Sequence, residues 1–171
     1  MYSKFIIIIG ENSNLIIDFS LYNHHRFNHF MVISKNGNIL VPFDNSKNSI
    51  RALNKAITFA NLVNAKITLV HVINYHKAMA KIVAPYKGTL IDHIRKFMTR
   101  AERSASNQDV EMDEKILYGN VAEEIFNFMN KRKFDLVVVG RQGTSNLTGP
   151  TLGSVSNALV QRSKIPVLVV T

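Results

Sequence analysis

From residue 38 onward the chain switches repeatedly between short apolar runs and helical periodicity. Asn38-Ile39-Leu40-Val41-Pro42-Phe43 is an apolar run closed by turn formers, the pattern of a strand buried on both faces. Asp44-Asn45-Ser46 follows with side chains suited to a helix start. Ile50, Leu53, Ala56, Ile57 and Ala60 then recur at helical spacing as far as Asn64-Ala65. Lys66 to Ile73 predicts a second buried strand through Ile67, Leu69, Val70 and Val72. A polar connection runs to Gly88, and Leu90, Ile91, Ile94, Phe97, Met98 and Ala101 mark a second helix. Val110 to Tyr118 alternates as a third strand, with Val110, Met112, Ile116 and Tyr118 on one face. Val121, Ile125, Phe128 and Met129 mark a short third helix after Gly119-Asn120. Leu136 to Val139 is a fourth buried strand ending at Gly140. A loop leads to a helix from Ser154 to Arg162, and Pro166 to Val170 is the last strand.

The predicted order alternates strand and helix, beginning and ending on a strand. Strands that are apolar throughout need helices on both faces, which predicts a five-stranded parallel sheet in an α/β, doubly wound, Rossmann-like fold. In such sheets ligands bind beyond the carboxyl ends of the strands, where the winding reverses. Here those ends are Pro42-Phe43-Asp44, Val72-Ile73-Asn74 and the segment from Gly140 onward.

Composition narrows the picture. With 171 residues, 46% of them hydrophobic, the chain has the length of one domain and enough apolar mass for its core. It has no cysteine, which excludes disulfides and thiolate metal sites and suits a reducing cytosol. The apolar run Phe5 to Ile9 is far shorter than the ~20 residues of a membrane helix. The expectation is a cytoplasmic protein with no membrane partner. The net charge of +9 favours polyanions, but the positive residues are scattered. Lys131-Arg132-Lys133 sits at a predicted helix end, where cations also complement the dipole.

The first 30 residues differ in kind. They contain no Ala, Val or Pro, and Lys4 and Arg26 balance Glu11 and Asp18. Three readings compete for residues 1–36 as an N-terminal extension. Phe5 to Ile9 and Leu15 to Ile17 could form an added hairpin, or the segment could be a poorly ordered tail. The favoured reading is an over-extended gene model with translation starting at Met31. His24, His25 and His29 lie in this prefix without an evident scaffold for a metal.

The stretch with chemical content is Gly140-Arg141-Gln142-Gly143, nine residues, then Gly153-Ser154. Glycines after a buried strand allow a tight turn and close approach to a ligand. Gly153-Ser154 opens a helix, whose free N–H groups and dipole favour an anion, and the Ser154 hydroxyl adds a donor. Arg141 could add charge or point into water. A Walker loop is excluded, because Lys would have to follow its last Gly. The spacing also differs from the dinucleotide fingerprint.

The pattern Gly140-x2-Gly143-x9-Gly153-Ser154 resembles the ATP-binding signature of the universal stress protein family. Ile39 to Ser46 is similar to the opening strand and Pro-x-Asp-x-Ser turn of that family, Leu69 to Val72 to its second strand, and Ile165 to Val170 to its closing strand. The resemblance covers residues 37–171. It implies that Asp44 lies by adenine or ribose and that Pro42 and Phe43 shape the pocket. It places Val72 in the adenine slot and Val139 and Gly140 on the sugar and phosphate side. Gly143, Gly153, Ser154 and Val155 would hold phosphates through backbone N–H groups, with Arg141 within the signature. The ligand implied is ATP, with Mg²⁺ or Mn²⁺ held through its phosphates. A homodimer is also implied, formed through a closing strand at the sheet edge. Asn45 stands where the family often has Gly, and Arg141-Gln142 replaces a small-then-His pair.

No nucleophile–base set, carboxylate pair or metal cluster assembles from the spacing, so at most slow ATP hydrolysis is expected of a nucleotide-dependent stress regulator. Two alternatives stand beside this reading. One is a non-nucleotide dimeric module of the same fold, and the other is a basic nucleic-acid binder, against which the absence of any RNA-binding aromatic signature speaks.

Overall fold

The computed structural model describes residues 6–9, 36–74, 84–144 and 151–171. Its strands are β1 (Ile6–Ile9), β2 (Asn38–Pro42), β3 (Lys66–Asn74), β4 (Met112–Gly119), β5 (Leu136–Gly140) and β6 (Val167–Val170). Its helices are α1 (Lys47–Val63), α2 (Lys87–Ser106), α3 (Val121–Asn130) and α4 (Ser154–Arg162). The sheet order is β1-β6-β5-β2-β3-β4, and every neighbouring pair is parallel. Chain order runs one way from β2 to β4 and the other way through β5 to β6, which is the doubly wound arrangement expected.

Strand alternation divides the core in two. Ile39, Val41, Ile67, Leu69, Leu136, Val138, Leu168 and Val170 face α1 and α2. Leu40, Val70, Val72, Val137, Val139, Val167 and Val169 face α3 and α4. Each fully buried Val, Leu or Ile contributes roughly 1.5–3 kcal/mol, so the sheet, covered on both sides, carries most of the stability. On α1 the covering stripe is Ala52, Leu53, Ala56, Ile57 and Ala60. Its alanines let the helix lie close. A Cβ at Gly140 would stand 2.6 Å from the backbone carbonyl carbon of Asn48, so only glycine allows β5 to end under α1.

Helix ends follow local chemistry. Ser46 caps α1 by accepting from the Ser49 N–H, Asn64 ends it in the left-handed conformation, and Asn120 caps α3 by accepting from the Glu123 N–H. Lys131 closes α3, and the Arg132 guanidinium lies 5.0 Å from the Phe128 ring centroid. On α3 the buried residues are Ile125 and Phe126. Phe126, missed by the periodicity, has the guanidinium of Arg162 over its ring. On β4, Met112 and Ile116 pack on the core as expected, whereas Tyr118 is exposed. No helix among the described residues is long and apolar enough to cross a membrane.

Two expectations change at the sheet edge. The five predicted strands form the parallel sheet as expected, and among the described residues a sixth, Ile6–Ile9, is added to it by pairing with β6 in the register Ile6↔Val167 to Ile9↔Val170. The closing strand β6 is therefore not an edge strand, and a dimer through it would have to displace β1. Leu15 to Ile17 and the prefix histidines lie outside the described residues. With β1 in place the backbone of β6 has partners on both sides, so light scattering of the full chain at micromolar concentration is expected to give the mass of one chain. A dimer mass would show that a second copy competes with β1 or meets the chain elsewhere.

Candidate functional site

The site begins where two central strands part. β2 pairs with β5 at Ile39↔Leu136 and Leu40↔Val137, while its pairing with β3 runs on to Pro42↔Val70. The Phe43 N–H donates to the Val70 carbonyl at 2.8 Å. Successive residues of a strand turn their backbone groups to opposite neighbours, so position 42 addresses β5. Proline has no N–H to offer there. The ladder stops, and a crevice opens between the ends of β2 and β5.

The crevice is a cavity of about 450 Å³ lined by Pro42, Phe43, Asp44, Val72, Val139, Gly140, Gly143, Gly153, Ser154 and Val155 among others. The structure thus brings together ten of the residues singled out by sequence. Arg141 is not in the cavity wall. Its backbone is taken up in closing the loop: the Arg141 N–H donates to Val170, and its carbonyl accepts the Gly153 N–H at 2.8 Å and the Ser156 hydroxyl at 2.7 Å. The further lining residues include Val121 and Ile125 of α3, and also His71, Gln142, Thr144 and Ser156. Val121 and Ile125 were legible as an i, i+4 apolar pair on a helix; the polar residues carried no comparable signal.

The cavity has two chemically different ends. Val72, Val139, Val121 and Ile125 form an apolar slot on the α3 side of the sheet. Opposite lies the start of α4, with Gly153 at its cap. The Gly153 N–H is spent on Arg141, so the donors left by helix geometry are those of Ser154, Val155 and Ser156. Their dipole end is positive and favours an anion.

Asp44 joins the two sides. Asn45 beside it takes the left-handed conformation, φ 61°, as an Asn can. One Asp44 oxygen accepts from the Ser46 N–H at 3.0 Å and the other from the Thr144 N–H at 3.0 Å, across 100 residues of sequence. Asp44 is therefore not the cap of α1, which is Ser46. A Cβ at Gly143 would fall 2.5 Å from the second Asp44 oxygen, so any side chain there would displace the carboxylate from its bond to Thr144. Burial raises the pKa of Asp44, but hydrogen bonds from the Ser46 hydroxyl and N–H, the Ser49 hydroxyl and the Thr144 N–H outweigh it. The carboxyl is held below its ordinary value.

His71, on β3, packs edge-on against Phe97 of α2, with ring centroids 5.2 Å apart. Its Nδ1 lies 2.8 Å from the Phe43 carbonyl, which can only accept, so Nδ1 carries the proton. The Nδ1 of this histidine is thus satisfied within the fold, and the residue also borders the cavity. No group of three or more metal-ligating side chains occurs among the described residues.

Fold and site together define a doubly wound α/β domain with an apolar slot and an anion-accepting helix start facing one another across the switch point. Residues 35–171 match the model of the universal stress protein family, and the chain belongs to that family. It is 30% identical over 159 residues to the stress response protein NhaX of Bacillus subtilis (strain 168), a match spanning 77% of this chain and 96% of that one. It superimposes on the universal stress protein UspA from Lactobacillus plantarum with a TM-score of 0.73 at 23% identity, covering 81% and 99% of the two chains. A universal stress protein solved in complex with cAMP is similar at 26% identity with a TM-score of 0.61, covering 81% of this chain and 98% of that one.

Replacing Asp44 by Asn turns one acceptor into a donor facing the Thr144 N–H. The variant is expected to lose about 1–3 kcal/mol in urea unfolding at neutral pH. The pH dependence has a definite sign. A depressed folded-state pKa gives stability that is present above the ordinary value of 3.8 and is lost as pH falls through the lower folded value. The wild-type advantage over Asp44→Asn should therefore hold down to about pH 4 and shrink below it. An advantage that disappears well above that range would contradict the assignment.

Proposed function

We propose that this chain binds ATP in the crevice between β2 and β5 and acts as a nucleotide-dependent regulator in a stress response. The observation that carries the reading is the pairing, in one cavity, of an apolar slot with the open N–H groups of α4. Val72 and Val139 would sandwich adenine with Ile125 and Val121, and Asp44 would face the ribose. The turn at Gly143 and the first turn of α4 at Ser154 and Val155 would take the phosphates. The solved relative that holds cAMP supports an adenine nucleotide as the ligand class. Cavity size agrees, since small-molecule sites usually enclose ~300–1,000 Å³.

A divalent cation, Mg²⁺ or Mn²⁺, would ride on the phosphates and supply charge neutralisation there. Among the described residues Asp44 is the carboxylate in the cavity wall, and both of its oxygens already accept main-chain N–H groups. It is therefore poorly placed to act as a base on water, and we infer at most slow hydrolysis.

Calorimetric titration of ATP with Mg²⁺ tests the reading, alongside Gly153→Val. A Cβ at Gly153 meets the Gln142 backbone at 3.2 Å, and the valine methyls would block the first turn of α4. Saturable binding by the wild type that weakens at least roughly tenfold in the variant is expected, as for the loss of one or more charge-assisted hydrogen bonds. Absence of binding to nucleotide-free wild type would remove the ATP reading and favour a non-nucleotide module of the same fold.

A further inference from the structure

Gln142 stands at the mouth of the cavity and is nevertheless buried, with 8% of its surface exposed. A buried amide must find partners or cost the full penalty of its desolvation. Its Nε2 donates to the Thr151 carbonyl at 2.8 Å. Its main-chain carbonyl accepts from Asn48 Nδ2, on the first turn of α1, at 3.0 Å. One residue thus joins three stretches: the start of α1, the glycine turn after β5, and the chain returning toward α4. Two further ties cross the same span, the Gly153 N–H and the Ser156 hydroxyl, and both end on the Arg141 carbonyl. Bonds that meet at one atom fix a distance there but not a rotation about it, and the Gln142 side chain reaching across to Thr151 adds a second anchor point.

We propose that Gln142 is a positioning residue that holds the Gly143 turn and the first turn of α4 at the spacing required by a run of phosphates. The inference rests on the phosphate reading of this cavity. It goes further by assigning the fixed geometry to a side chain that need not touch the ligand. Only phosphates bridge the two turns, so adenosine should be insensitive to Gln142 while ATP should not. A loss of general structure would weaken both ligands alike.

The experiment compares wild type, Gln142→Met and Gln142→Glu in the full chain. Titration calorimetry is run with ATP and separately with adenosine, and amide hydrogen exchange is followed over residues 143–144 and 151–155. Methionine keeps the length and loses the donor. ATP affinity should fall roughly tenfold, adenosine affinity should change less than twofold, and exchange should accelerate by a similar factor, as for one lost buried hydrogen bond. Glutamate adds a reversible control. Deprotonated at pH 8 it faces the Thr151 carbonyl with no proton; burial beside that carbonyl disfavours the charged form, so the fraction that is protonated and able to donate grows as the pH is lowered. The deficit in ATP affinity relative to wild type should therefore shrink on acidification. Equal losses for both ligands, no loss, or a deficit in Gln142→Glu that ignores pH would overturn the proposal. If wild type binds neither ligand, the nucleotide reading falls by itself. Exchange then decides on Gln142 alone: acceleration in Gln142→Met keeps it as the residue that holds the turn, and unchanged exchange removes it.

Discussion

The missing N–H of Pro42 is the constraint from which the rest of the site follows. A parallel sheet extends as long as each residue can answer its neighbour. At Pro42 the bond toward β5 cannot form, while the bond toward β3 continues through Phe43. β2 and β5 part at that point, between the two halves of the winding. Everything chemically useful is then arranged around the gap. The strand residues Val72 and Val139 floor one side of it, and the start of α4 faces the other. A residue with an N–H at position 42 could zip the crevice shut from below.

A gap in a sheet must be held open, and polar bonds across its mouth do this. Asp44 reaches Thr144, Gln142 reaches Thr151, Asn48 reaches Gln142, and Ser156 reaches Arg141. The first and third span 100 and 94 residues of sequence, the other two close the loop after β5, and none belongs to the regular ladder. The glycines take their place in the same network. Gly140 gives way to the backbone of α1 and Gly143 to the carboxylate of Asp44. Spacing that suggests room for a ligand is thus first of all room for the protein itself.

The sheet, the helices and the location of the crevice were legible in the sequence because they follow from burial. A strand covered on both faces must be largely apolar: β5 and β6 are so throughout, and in β3 the buried Thr68 hydroxyl is satisfied by Asn38. What escaped depended on neighbours that no local pattern specifies. Tyr118 keeps the strand alternation yet is exposed, because β4 is an outer strand and alternation does not say where the covering helix ends. Phe126, not Phe128, lies deep in the core, since helical spacing allows either until the sheet fixes the face. Arg141 looked like a source of charge for phosphate, but the chain leaves β5 toward β6 and turns that residue away from the cavity. Gln142 and Ser156 carried no signal, because the carbonyls they serve become neighbours only after folding.

The placement of β1 separates two kinds of information in the chain. The family model begins at residue 35, whereas the strand flanking β6 comes from residues 6–9. The margin that the sheet turns toward its surroundings on that side is thus written outside the residues that the family model matches. Substitutions in that short strand could make the margin more or less adhesive to other polypeptides without altering a single contact in the crevice. Association and ligand recognition can in this way drift independently, each governed by its own stretch of sequence.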